Sequence, residues 1–448
     1  MSGAGPFYST GQGFDGQQAN APGDGQRALS LANTYLTNPS QYTWYQTFNN
    51  GTSLEAWDPE PLAGYHHNMR AAWCYMTMPN HDNNTAWRNA ARDMLLSVAQ
   101  HSTHDFSNSN MYSNRFPGFA PNPIFTIAGN MIRALKTYDM LGRDTFTSQQ
   151  RQILDQWFYG YANWIFNWFH REANNGKVPN IKLGDTTPAS WYSSLRSQVA
   201  FNGGPYISGF GIFTNRVTIC LNAGTLIAAY LKYHTGGAPS TAGMSQPSYG
   251  WWTVDEMLDY AAYSVWTWLR CSLHPLGFTY DHHRAQAGNA SPAQGWMYSN
   301  NEVAGMVAIT KTLSLLGDNR GWNRSTTDGW TNTEGSPNIV AGITGFTHKN
   351  MHYAAWMHSR YVNDGWGRVV TGGNGVTGPL VPDDTQHDCV HAAIVASRYP
   401  SDSLLSSAWR RSGNGFPGYG PNPQSQGSFD ARDGEQATYL GLIEVGGV

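Results

Sequence analysis

The chain has 448 residues and a formal net charge of −3 at pH 7, and only 13% of its residues are charged. Hydrophobic residues make up 40% of it, which is typical of a folded protein and excludes a disordered chain. The sequence has no basic tract and no run of ~18 apolar residues, so we expect neither a nucleic-acid partner nor a membrane span.

Residues 1–25 are rich in Gly, Gln and Ala and predict an extended segment ahead of a single domain of residues 26–448. This segment lacks a charged n-region and an apolar h-region, so we expect no signal peptide in it. An extracellular or periplasmic location would then require a leader that has been removed, and association with a virus particle is the alternative.

Apolar residues recur with the helical period of 3.6 along most of the chain. The predicted helices are 26–37, 63–78, 84–101, 124–141, 147–171, 214–234, 253–271, 298–316, 347–361, 385–398 and 433–443. Asn84, Thr147 and Thr253 are N-cap signals for three of them. Strand-like pieces are short, at 277–280 and 368–370, and there is no βαβ alternation. The predicted fold class is therefore mainly α.

Two pairs of segments resemble each other within the chain. The loop at 114–123 is similar to that at 414–423, and the helical segment at 68–73 is similar to that at 350–356. Repeated helical hairpins indicate an α-solenoid closed into a ring, and this length allows about six or seven hairpins. We therefore predict an incomplete (α/α)6–7 toroid or barrel with long loops, although chance similarity also explains the repeats.

Metal and redox chemistry receive little support from the sequence. The four cysteines are widely spaced and form no CxxC or Cys/His cluster, which argues against a zinc site. Three of them lie in apolar runs and are predicted to be buried thiols, namely Cys74, Cys220 and Cys271, whereas Cys389 does not. One predicted helical face is competent for a divalent metal, namely Asp384, His387, Asp388 and His391, but a solvated or capped helix start explains it more simply.

The neutral polar and aromatic composition is typical of a protein that binds carbohydrate. The chain has 49 Gly, 18 Trp and 24 Tyr residues. Indole and phenol rings stack on the C–H faces of sugars, while amides and hydroxyls bind sugar hydroxyl groups. Most of these rings are nevertheless expected to fill the core.

The densest polar cluster flanks a long loop. His282 and Arg284 precede the loop, Tyr298 opens the next predicted helix, and Asn301 or Glu302 lies one turn further on. A nearby arginine favours the phenolate form of a tyrosine and attracts an anionic substrate. The cluster therefore predicts abstraction of a proton from a carbon next to a carboxylate.

Asn215 and Arg216 form a second group, at the start of an apolar helix. An amide and a guanidinium can neutralise a uronate carboxyl, which makes the adjacent C–H more acidic. Further substrate contacts are predicted at cationic residues of other helices, namely His66, His67, Arg70, Lys349 and His352.

On these residues the chain resembles the α/α-toroid polysaccharide lyases, especially the alginate lyases. The resemblance rests on Asn215 in FTNRVTICLNAGTLIAAY, on Arg284, and on Tyr298 in YSNNEVAGMVAITKTL. It spans roughly residues 60–400, and its motifs are loose. Many such lyases have Asn-Asn-His where this chain has Asn-Arg-Val from residue 215, and His283, or His66 or His67, is expected to replace the absent histidine.

The resemblance implies β-elimination on a uronic-acid polysaccharide of the alginate or glucuronan type. Asn215 and an arginine would hold the carboxyl group, and Tyr298 would remove the C5 proton and protonate the leaving O4. A single tyrosine does both when the two atoms lie on one face of the sugar; with a histidine base on the opposite face, it acts as the acid alone. This scheme needs no metal and no cofactor.

Two alternatives remain open. A glycoside hydrolase on a similar toroid would need two carboxylates, for which the candidates are Glu302, Asp281, Asp383 and Asp384. A non-catalytic carbohydrate-binding or virion protein would have the same composition. The sequence leaves the polymer, the mode of attack and the oligomeric state undetermined.

Overall fold

The computed structural model describes residues 24–37, 59–101, 122–174, 213, 215–247, 250–273, 277, 279, 292–326, 345–363, 369–371, 377–379 and 390–405. Within these ranges the chain is mainly helical, which confirms the predicted class. The closure of the hairpins into a ring stays a prediction. None of the described helices is long and apolar enough to cross a membrane.

The described helices are α1 (Asp24–Thr37), α2 (Pro59–Thr77), α3 (Asn84–His101), α4 (Asn122–Leu141), α5 (Ser148–Asn174), α6 (Asn215–Thr235), α7 (Val254–Cys271), α8 (Pro292–Leu315), α9 (Arg320–Asn323), α10 (Met351–Asn363) and α11 (Val390–Arg398). A short 3-10 turn at Arg143–Thr145 joins α4 to α5. Strands β1 (Val369–Thr371) and β2 (Thr377–Pro379) pair antiparallel, with Val370 opposite Gly378.

Ten of the predicted helices coincide with described ones, while the segment 433–443 lies outside the described residues. The prediction was wrong about where α8 begins, because the helix starts at Pro292 and not at Tyr298. Proline is well tolerated in the first helical turn, where its missing N–H has no partner to lose. Tyr298 therefore lies in the second turn of α8, not at its mouth.

The chain divides into two compact units. The first unit comprises residues 1–168, 222–257 and 435–446, and the second comprises the rest of the chain. Helices α5, α6 and α7 each contribute residues to both units.

The core of the first unit forms where α5 buries an aromatic face. Its buried residues follow the helical period, namely Leu154, Trp157, Phe158, Tyr161, Trp164, Ile165 and Trp168. The helix begins with a capping box, in which Thr147 Oγ1 accepts from the Gln150 amide and Gln150 Oε1 accepts from the Thr147 amide. A Cβ at Gly224 of α6 would lie 2.8 Å from Cε2 of Phe166, so α6 can approach this face only because the residue is glycine.

A partly buried ion pair lies beside this core. Arg143 donates two hydrogen bonds to the Asp155 carboxylate, at 2.9 and 2.7 Å, and Tyr138 donates a third at 3.2 Å. Burial lowers the pKa of Arg143, but the hydrogen bond with Asp155 outweighs burial and the pKa is raised. The guanidinium therefore stays charged at every pH at which the protein is folded.

Helix α8 lies at the centre of the second unit, where it packs against α9, α10 and α11. It is apolar and buried around most of its circumference, at Val303, Met306, Val307, Ile309 and Leu313. Helices that are buried in this way lack a polar face, so polar side chains on them need specific partners.

The two cysteines whose side chains are described, Cys74 and Cys220, are buried thiols as predicted. Burial raises the pKa of Cys74 to about 12, and the positive charge of Arg70 opposes this only in part. The side chains of Cys271 and Cys389 lie outside the described residues.

Candidate functional site

The residues of α8 that the sequence singled out lie in the first half of the helix. Tyr298 and Asn301 lie on this helix, and their side chains are outside the described part of the structure. Their neighbours Ser299 and Glu302 are completely buried. The contacts of these two residues therefore fix the position of the helical turns that carry Tyr298 and Asn301.

Ser299 anchors α8 to a buried polar network. Its hydroxyl oxygen accepts from Thr279 Oγ1 at 2.9 Å and lies 3.4 Å from Nε2 of His358 on α10. His358 Nε2 also donates to the carbonyl of Gly277 at 2.9 Å. Gly277 has φ +82°, and a Cβ there would lie 2.6 Å from Cβ of Met357, so this position requires glycine.

His358 has a second buried histidine beside it. The ring of His391, on α11, lies edge-on with its centroid 5.9 Å from that of His358, and both rings are completely buried. Neither nitrogen of His391 has a hydrogen-bond partner among the described residues. Burial lowers the pKa of His358 to about 4, and burial together with the positive charge of protonated His358 lowers that of His391 well below its usual value. Both imidazoles are therefore neutral at pH 7.

Glu302 anchors α8 on another side. The indole N–H of Trp268, on α7, donates to Glu302 Oε1 at 2.6 Å. Complete burial of this carboxyl makes Glu302 a positioning residue for the α8 turn, and it leaves little room for a sugar to reach it directly.

The start of α6 meets α8 at a glycine. A Cβ at Gly305 would collide with Cγ2 of Thr218, so the two helices approach closely at this point. Asn215 lies about 4.5 Å along α6 from Thr218, and Tyr298 lies about 10 Å along α8 from Gly305, at 1.5 Å per residue. The two helices that the sequence singled out are therefore neighbours. The side chains of Asn215 and Arg216 are outside the described part.

His352 forms a histidine–carboxylate pair near the start of α10. Its Nε2 donates to Asp402 Oδ2 at 2.7 Å, and its ring stacks on Tyr399 with the centroids 4.0 Å apart. Burial of Asp402 opposes ionisation, but the hydrogen bonds from His352 and from the amides of Leu405 and Leu404 outweigh burial and lower its pKa. The imidazole is thus oriented by a carboxylate while it stays partly exposed to solvent.

Lys349 is completely buried, although the sequence predicted a substrate contact there. Its Nζ donates to the carbonyl of Leu273 at 2.7 Å and to that of Arg270 at 3.2 Å, at the C-terminal end of α7. A cation at this end of a helix satisfies carbonyl groups that have no intrahelical partner. The ammonium group therefore stabilises the C-terminal end of α7.

Three of the predicted residues lie in the first unit, on α2. His66 has no described side chain, whereas His67 and Arg70 are buried. Helix α2 packs against α4, where Arg133 and Lys136 are also buried. Sequence reasoning missed this concentration of charge on α4, although charged residues within an apolar helical period were a visible signal.

His282, His283 and Arg284 lie outside the described residues, as do three carboxylates of the hydrolase alternative, Asp281, Asp383 and Asp384. Of the predicted metal-binding face, only His391 is described, and it is buried as stated above. Within the described ranges, no three His, Cys, Asp or Glu side chains converge as a metal site would require.

No protein-family model matches this chain, and neither a curated protein nor a solved structure is significantly similar to it.

Proposed function

We propose that the protein is a polysaccharide lyase that cleaves a uronic-acid polymer by β-elimination. The observation that carries the proposal is the close approach of α6 and α8 at Thr218 and Gly305. This contact makes neighbours of the helix that begins with Asn215 and the helix that carries Tyr298, and the proposed chemistry requires these two residues to act on the same sugar.

The proposed roles follow from the chemistry of the residue types. The Asn215 amide and a guanidinium, from Arg216 or Arg284, neutralise the uronate carboxyl and so acidify the C5 proton. Tyr298 removes this proton and protonates the leaving O4, or does only the latter if a histidine is the base. Electrons of the broken C5–H bond form the C4–C5 double bond as the C4–O4 bond breaks.

The anchoring of α8 supports a catalytic role for this helix. Ser299 is hydrogen-bonded to Thr279, and Glu302 is hydrogen-bonded to Trp268. These two residues flank Asn301 in the sequence of α8. A reactive side chain is most effective on a rigid element whose own neighbours are held by buried hydrogen bonds. These anchors restrict the turn on which Tyr298 lies.

The test is an assay of the purified protein on polymannuronate, polyguluronate and glucuronan, with the near-ultraviolet absorbance of the unsaturated product as the signal. We expect activity that Tyr298→Phe lowers by about 10²-fold or more, because the phenol is the proton carrier. Tyr233→Phe is the matched control, since Tyr233 is an exposed tyrosine of the first unit.

Circular dichroism and the melting temperature of each variant separate loss of chemistry from loss of fold. New reducing ends without ultraviolet absorbance would contradict the proposal and favour a hydrolase. Binding without any product from the three polymers would favour a carbohydrate-binding protein.

A further inference from the structure

Two tryptophans of the second unit are covered by arginines. On Trp266 of α7, the Cζ atoms of Arg270 and Arg324 lie 5.2 and 5.1 Å from the ring centroid. On Trp322 of α9, Cζ of Arg398 lies 5.3 Å from the ring centroid. Because Trp322 and Arg324 are two residues apart, the two stacks adjoin, and we name these five residues the Trp–Arg patch.

The patch has a surplus of positive charge. The nearby carboxylates of Asp259 and Asp318 are both bound by a different arginine, Arg320, at 2.6 and 2.8 Å. Arg324 and Arg398 are exposed and form no ion pair with any described residue. Two guanidinium groups are thus available to an anion from solution.

Stacking on an indole prepares an arginine for a carboxylate. The ring fixes the guanidinium plane and leaves its N–H edges free to make paired hydrogen bonds to two oxygens. A linear polymer whose sugars each carry a carboxylate offers this group repeatedly along its length, so two neighbouring guanidinium groups can each bind one sugar of the same chain.

We infer that the Trp–Arg patch is a binding subsite for the chain of an anionic polysaccharide, in addition to the residues of the candidate site on α6 and α8. The inference rests on the proposed function for the identity of the polymer. A nucleic acid is the competing outcome of the experiment, and the sequence has no basic tract of the kind that nucleic-acid-binding proteins usually carry.

The experiment is affinity electrophoresis of the full chain in native gels that contain alginate, with dextran as the uncharged polymer. We expect alginate to retard the protein and dextran to have no effect. The double variant Arg324→Gln/Arg398→Gln should weaken the apparent affinity for alginate by about tenfold, since two charged contacts are lost. The corresponding double Lys variant keeps the charge but loses the stacked guanidinium plane and its paired hydrogen bonds, so its affinity should lie between those of wild type and the double Gln variant.

Arg92→Gln is the matched control, because Arg92 is an arginine of the first unit that pairs with the exposed Asp93. Affinity should fall as the salt concentration rises, and the double Gln variant should depend less on salt. Unchanged alginate affinity in the double Gln variant would overturn the inference, as would stronger retardation by single-stranded DNA than by alginate.

The two proposals fail in different ways. Retardation by alginate that needs Arg324 and Arg398, without any unsaturated product, would remove the proposed lyase and leave the subsite. Formation of product with no effect of the double Gln variant on binding would remove the subsite and leave the lyase. Melting temperatures of all variants exclude unfolding as the cause.

Discussion

Arg143 is a partly buried basic side chain and His391 a completely buried one, and their pKa values shift in opposite directions. Arg143 forms two hydrogen bonds with Asp155, and its pKa is raised in spite of burial. His391 has no hydrogen-bond partner among the described residues, and its pKa is lowered well below the usual value. A carboxylate partner therefore raises the pKa of a basic group, burial without such a partner lowers it, and only the imidazole becomes neutral at pH 7 as a result.

The difference gives these two basic groups different responses to acid. A raised pKa contributes stability that is lost only when the pH rises through it, which for an arginine lies above the range of a folded protein. A lowered histidine pKa means that the unfolded chain binds more protons between the two values, so stability falls as the pH falls. Acid should therefore act on the histidine pair of the second unit and not on Arg143.

The largest expected effect comes from breaking the ion pair of the first unit. Asp155→Ala should lower the free energy of unfolding by about 3 kcal/mol, because it leaves Arg143 and Tyr138 without their acceptor. Urea unfolding at pH 7 measures this value. Asp93→Ala removes an exposed pair with Arg92 and should cost less than about 1 kcal/mol. Equal losses in the two variants would show that burial of the first pair has no energetic importance.

Acidification should have the next largest effect. With a folded pKa of about 4 and an ordinary value near 6.5, His358 alone should lower stability by about 2.5 kcal/mol between pH 7 and pH 4.5, and the lowered pKa of His391 adds to this loss. His391→Leu removes a second group with a lowered pKa, so the same acidification should cost less in this variant. Urea titrations at both pH values give the comparison, and an unchanged pH slope in the variant would contradict it.

Adding a methyl group at the close contact between α6 and α8 should have a smaller effect on stability. Gly305→Ala should cost about 2 kcal/mol, because the new methyl group collides with Thr218. If the proposed function is correct, it should also reduce kcat by moving Asn215 relative to Tyr298. Gly237→Ala is the control, because a Cβ there meets no atom within 4 Å. An unchanged kcat of the Gly305→Ala variant would show that this contact does not contribute to catalysis.

The smallest effect on stability should come from a helix cap that contacts neither Arg143 nor His391. Thr253 Oγ1 accepts from the Glu256 amide, and Glu256 Oε2 accepts from the Thr253 amide, at the start of α7. Thr253→Ala should cost about 1 kcal/mol, and Thr253→Ser about half of this or less. The loss should be the same at pH 7 and pH 5.5, and a strong pH dependence would mean that the histidine explanation is not specific.

The sequence predicted those features that are encoded locally. The caps at Thr147 and Thr253 are visible as residue patterns, and α5 and α7 begin within one residue of the predicted positions. The start of α8 was missed because Gly295 and Pro292 read as loop residues, although proline suits the first turn of a helix. Local signals of this kind predict where a helix begins and ends, but they do not predict which other helices it packs against.

The candidate site was predictable only as a set of residue types. The pairing of His352 with Asp402 joins residues 50 positions apart, and Lys349 reaches α7 carbonyls more than 70 positions away. Such pairings depend on how helices pack, so Lys349 looked like a surface cation while it is buried. The contact of Thr218 with Gly305 was likewise invisible, because small residues at helix crossings carry no periodic signal.

Cys74 and Cys220 give each compact unit its own reporter of opening, because Cys74 belongs to the first unit and Cys220 to the second. A thiol that is shielded from water reacts with alkylating reagents only when the surrounding helices separate. The alkylation rates of the two sulfur atoms, measured in the same sample, would therefore show whether acid opens one compact unit before the other.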